Sequence, residues 1–139
     1  MTELKINHLA VVVCIVVLHG IGFLWYSPVL FAGPWMEMVG WTEEKMQANP
    51  PGASIWIVNF LASAVSTYVL AWLFTKLNVT SGMRGAGLGL LFGIAFDFLF
   101  VLNGALFAGE PAALAFITGG FTVVGMTASG FILGAWLKR

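Results

Sequence analysis

Four stretches of this chain, residues 7–27, 54–75, 84–107 and 111–137, stay apolar for about the 20 residues that an α-helix needs to cross the hydrocarbon core of a bilayer. Inside lipid a backbone finds no water to pair with, and a helix satisfies its polar groups within the segment itself. The runs therefore predict an all-α integral membrane four-helix bundle, a single transmembrane domain over residues 1–139. Composition agrees. Of 139 residues, 60% are hydrophobic and 9% charged, whereas soluble domains carry about 25% charged residues. The first run is too long for a signal peptide, has a weak leading charge and is followed by no A-x-A-like cleavage site, so it reads as a retained helix.

Six basic and six acidic residues leave no net charge. There is no clustered basic face for nucleic acid, and no nucleic-acid partner is expected. Cys14 is the only cysteine, which excludes an intrachain disulfide and a Cys-rich zinc site. His8 and His19 fall on one face of the first helix, but bis-histidine haem ligation takes imidazoles from two helices. No metal and no cofactor is expected.

Basic residues set orientation. Lys5, Lys76, Arg84, Lys138 and Arg139 lie on the face that holds both termini, against Lys45 alone on the other. This predicts a multi-pass protein of the bacterial inner (plasma) membrane with both termini cytoplasmic. Trp25 with Tyr26, Trp56, Trp72, and Trp136 beside Lys138 and Arg139 read as interfacial anchors. Pro28 cannot donate a backbone hydrogen bond and disfavours helix at Ser27, so the first helix should stop near "WYSP".

The outer connection, residues 28–53, contains "VLFAGPWMEMVGWTEEKMQANPPGA". Its first half, with Gly33, Pro34 and Gly40 among apolar and aromatic residues, should lie along the membrane interface. In the second half Thr42 can cap a short helix, with Glu43 and Glu44 in its first turn at the positive end of the dipole.

Within the third span Gly85, Gly89 and Gly93 recur every four residues, a ridge that lets another backbone approach closely. Asp97 is the next member of that series. Gly130 and Gly134 form a similar pair in the fourth span. Packing within one chain is the first reading of these ridges, and an oligomer contact the second.

Polar side chains inside the spans are the candidates for function, because a charged Asp at a helix centre costs about 2.5 to 3.5 kcal/mol on insertion scales. They are His19, Asn59, Asp97 and Asn103. His19 and Asp97 lie at nearly the same depth, so a clasp between them is one expectation; Asn59 and Asn103 lie nearer the outer face. The chain has no H-E-x-x-H, no G-x-S-x-G and no P-loop, and is not expected to be an enzyme.

Asn7, "GFLWYSP" at Gly22 to Pro28, Phe31, "PWM" at Pro34 to Met36, Gly40 and "TEE" at Thr42 to Glu44 form a pattern over the first third of the chain. Asn103 and Phe107 before Pro111, and "GAW" at Gly134 to Trp136, extend it. On these residues the chain resembles a family of small four-span bacterial membrane proteins of unknown function, the DUF1761-type family. Its most specific part is the tract from Trp25, Tyr26, Ser27 and Pro28 to Trp35. The resemblance implies the fold and no activity, and His19 and Asp97 stand outside its pattern.

Two functional readings follow. The first is a structural or interaction role, as a homo-oligomer or as the accessory subunit of a membrane-protein partner in the lipid bilayer. The second is a small-solute or proton-linked transporter or channel that uses the polar residues of the outer half. The sequence names no small-molecule ligand.

Overall fold

Asn7 begins the first helix. Its side-chain oxygen accepts from the amides of Leu9 and Ala10 at 3.2 and 3.4 Å, two of the four donors that a helix start leaves unpaired. The other end of the same carboxamide, Nδ2, donates to the carbonyl of Trp136 at 3.1 Å. One buried side chain thus starts the first helix and holds the end of the last against it.

The computed structural model describes residues 3–136. Leu137, Lys138 and Arg139, which enter the sequence reading as the end of the fourth span, as anchors and in the charge bias, lie outside the described residues. The helices are α1 (His8–Trp25), α2 (Ala32–Val39), α3 (Glu43–Ala48), α4 (Ala53–Lys76), α5 (Gly82–Gly93), α6 (Leu99–Phe107) and α7 (Ala112–Ala135), with a π-helical turn, Ile94–Phe98, joining α5 to α6. Four of these units are long and apolar enough to cross a membrane: α1, α4, the continuous Gly82–Phe107, and α7. The fold is all-α, with no strand among the described residues. Large apolar side chains such as Val16, Phe23, Val58, Phe96 and Phe107 point outward, as expected where the solvent is hydrocarbon rather than water.

The connection between the first two spans holds more order than its sequence suggests. Thr42 caps α3 by accepting from the Lys45 amide at 3.2 Å, as its position predicts. Helix α2 is the departure, since the sequence reading gives that half no helix. Pro34 falls in its first turn, where the missing N–H would have had no helical partner in any case.

Helix α7 sits at the centre. Its contacts with α5 are the most extensive in the molecule, and it also packs on α1 and α6, whereas α4 packs mainly on α1. The α5–α7 seam is backbone on backbone. A Cβ on Gly85 would meet the carbonyl of Gly130, one on Gly89 the carbonyl of Met126, and one on Gly134 the carbonyl of Ser81. Without a hydrophobic drive between helices in lipid, close van der Waals approach is what associates them, and glycine alone permits this distance. The small-residue ridges are therefore used within the chain.

The buried core is not spread evenly. Ala10, Val11 and Cys14 from the start of α1, Leu70, Ala71 and Phe74 from the end of α4, Val79 and Leu133 form one cluster. All lie toward the face that carries the termini. At the opposite end residues 53–62, the first ten of α4, are all exposed. The main cluster thus binds α1, α4 and α7 at the end that carries the termini, and α4 stands away from its neighbours at the other.

Candidate functional site

The "WYSP" tract makes the reversal at the end of α1. Ser27 donates its hydroxyl to the Leu24 carbonyl at 2.7 Å, and its own carbonyl accepts from Leu30 and Ala32 at 3.1 and 3.2 Å. Trp25 turns inward. Its indole N–H donates to the carbonyl of Ile117 on α7 at 2.8 Å, and its ring lies 4.7 Å from that of Phe31. Tyr26 meets Trp35 of α2 edge-on at 5.8 Å and Phe121 of α7 at 6.0 Å. Trp25 and Tyr26, expected as interfacial anchors, also make contacts within the chain. They bolt the end of α1 remote from the termini, and α2 beside it, to α7; the half-buried indole finds its acceptor in an α7 carbonyl.

Below this bolt, where α1 and α4 diverge, lies a cleft of about 240 Å³ lined by Leu18, His19, Gly22, Phe23, Tyr26, Trp56, Asn59, Ser63 and Phe121. Trp56, also expected to be an anchor, forms part of this wall and stacks on Phe23 with ring centroids 6.4 Å apart. His19 Nδ1 lies 2.8 Å from the carbonyl of Ile15. A carbonyl can only accept, so Nδ1 carries the hydrogen, and in the neutral ring Nε2 is left as an acceptor. Ser63 spends its hydroxyl on the Asn59 carbonyl at 3.0 Å. The Asn59 carboxamide has no protein partner among the described residues.

His19 and Asn59 thus share a wall, but Asp97 and Asn103 are not part of it. Asp97 makes no hydrogen bond or ion pair with His19, whose ring faces Ile15 and Phe60 instead. The third span packs on α7 rather than on α1, so its ridge does not face His19, and the π turn shifts Asp97 off that ridge as well. Here the Leu99 amide reaches back to Ile94, five residues rather than four, which inserts one residue into the helix. The ridge that runs Gly85, Gly89, Gly93 continues at Phe98, which packs on Gly119, and not at Asp97. Asp97 is rotated off the seam, half-buried, with no hydrogen-bond partner among the described residues. Asn103 is exposed on α6, five residues beyond the turn. No three His, Cys, Asp or Glu side chains converge to hold a metal ion among the described residues.

Four helices long and apolar enough to cross a membrane, packed around α7 in an all-α fold, define a small multi-pass membrane protein. The chain belongs to the family described as "Protein of unknown function (DUF1761)", which matches residues 9–134. No curated protein and no solved structure matches it.

Sequence reasoning missed the role of Asn7 as the tie between α1 and α7, although it singles the residue out. It also missed the π turn, for which the run "GIAFDFLFV" offers no signal beyond the polar residue at its centre.

Proposed function

We propose that this chain is a non-enzymatic protein of the bacterial inner membrane that works by association, with a second copy or with a membrane-protein partner. One observation carries the reading: the π turn puts Asp97 beside the α5–α7 seam with no group among the described residues to receive its carboxyl. An ionisable side chain at mid-span is expensive to leave facing lipid, and a donor from another chain lowers that cost. Phe100 and Gly104 follow Asp97 at i+3 and i+7, on the same side of the helix, and both are exposed. A Cβ on Gly104 would meet open space, so a neighbouring helix has room to approach there. The excess of Lys5, Lys76 and Arg84 on the face of the termini supports a cytoplasmic location for both ends.

The test is oxidative cross-linking in native membranes of Phe100→Cys and Gly104→Cys, each in a Cys14→Ala background. Cross-linked species that weaken when Asp97→Leu is added are expected. Monomer at both positions, with no co-purifying protein, would overturn the proposal.

The transport reading has its own support in the cleft, where His19 and Asn59 share a wall. Solute or proton flux in liposomes that is unchanged by His19→Ala would set that version aside.

A further inference from the structure

We infer that the cleft between α1 and α4 is a binding site for an uncharged, single-ring amphiphile that carries a hydroxyl group, a phenol or one of its relatives. The inference rests on the cleft alone and is independent of association through Asp97. Four features of the lining select this chemistry.

The wall is aromatic on several sides, with Phe23, Tyr26, Trp56 and Phe121 around one space. Offset and edge-on contacts with rings favour a flat aromatic guest over an aliphatic chain. No Asp, Glu, Lys or Arg takes part in the lining. A charged guest would lose its hydration against a wall that offers no counter-ion, a cost that only excellent pairing can return. The polar groups are of a particular kind: His19 presents an acceptor at Nε2, because Nδ1 is held by the Ile15 carbonyl, and the Asn59 carboxamide offers both a donor and an acceptor. A hydroxyl group donates to the first and completes its bonding with the second. At about 240 Å³ the cleft is smaller than the roughly 300 to 1,000 Å³ of ordinary ligand pockets, which fits one ring and not a fused system.

The mouth also suits such a guest. Residues 53–62 of α4 are exposed, so the cleft opens sideways toward the outer half of the bilayer, where an amphiphile already partitions. Entry needs no aqueous path through the bundle.

The probes are 4-pentylphenol and its methyl ether, 4-pentylanisole, added to the full-length protein in lipid nanodiscs while tryptophan fluorescence is followed. Quenching by the phenol should saturate and should be absent in Trp56→Phe, which assigns the signal to the cleft. The ether, which cannot donate, should bind about tenfold more weakly than the phenol, the size of one well-made hydrogen bond to an otherwise unpaired group. In His19→Phe the two probes should bind alike. A quenching response that rises linearly with both probes, as simple partition into lipid would give, overturns the inference. So does equal binding of phenol and ether to the unmodified protein, a comparison that needs no variant to fold.

Discussion

The indole nitrogen of Trp25 lies 2.8 Å from the carbonyl oxygen of Ile117, across 92 positions of sequence. This single bond joins the last residue of α1 to the first half of α7, at the end of the molecule that the main core cluster does not reach. The tract that most clearly marks the family is therefore a structural fastening. Replacing Trp25 with Phe should keep most of the ring contact with Phe31 and cost about 0.5 to 1.5 kcal/mol for the hydrogen bond. Trp25→Ala should cost about 3 to 5 kcal/mol. Thermal unfolding in detergent reads both, and equal effects of the two changes would show that the hydrogen bond contributes nothing.

Asn7 can be taken apart by chemistry. Asp at this position keeps the oxygen that caps α1 but lacks the Nδ2 donor to Trp136, so Asn7→Asp isolates the tie between the termini. Asn7→Leu loses both, and should destabilise by about 1 kcal/mol more than Asp does, the usual worth of an N-cap. If Leu and Asp unfold at the same temperature, the cap is not contributing.

The glycines of α5 should divide sharply. Gly85→Ala and Gly89→Ala place a methyl group against the backbone of α7, and overpacking of this kind costs about 1 to 3 kcal/mol or more. Gly87 has nothing within 4 Å of the same hypothetical Cβ, so Gly87→Ala should gain about 0.5 to 1 kcal/mol from helix propensity. Opposite signs in one helix, two residues apart, are the observable.

Ser129 is buried at 1% exposure and its hydroxyl has no hydrogen-bond partner among the described residues. Only its carbonyl is engaged, by the Cys14 thiol at 3.7 Å. Ser129→Ala should be neutral or should stabilise by about 1 kcal/mol, because it removes a buried polar group that is not satisfied. A clear loss of stability would mean that the hydroxyl has a partner after all.

The π turn predicts an unusual tolerance to deletion. Removing Ala95 takes out one residue where the helix has one too many, so an ordinary α-helix can still deliver Phe98 to Gly119. Accumulation and melting temperature should stay near those of the unmodified protein. Removing Ala86 instead should rotate Gly89 and Gly93 off the seam, and this variant should fail to accumulate in membranes.

How much of this was legible depends on the range of the interaction. The apolar runs fixed the spans, because hydrocarbon demands local satisfaction of the backbone and leaves the helix as the local answer. The end of α1 at "WYSP" and the Thr42 cap of α3 were readable for the same reason, being decided by residues within one turn. The glycine spacing showed that a seam would form, but a ridge does not name its partner; the facing carbonyls of Met126 and Gly130 do. Spacing failed at Asp97. Counting by four put it on the ridge and at the depth of His19, and one extra residue in a π turn was enough to move Phe98 into its place. The contacts of Trp25 and Trp56 within the chain were not legible, because an aromatic at a helix end looks alike from sequence whether or not it also meets a distant part of the fold. The sequence by itself determined a four-span helical protein, through constraints each segment meets alone. Only the tertiary structure decided that α4 joins the bundle near the termini and stands away from it at the other end, bringing His19 and Asn59 to one cleft and leaving Asp97 apart. That choice rests on contacts between helices far apart in sequence, where packing geometry and not local propensity sets the energy.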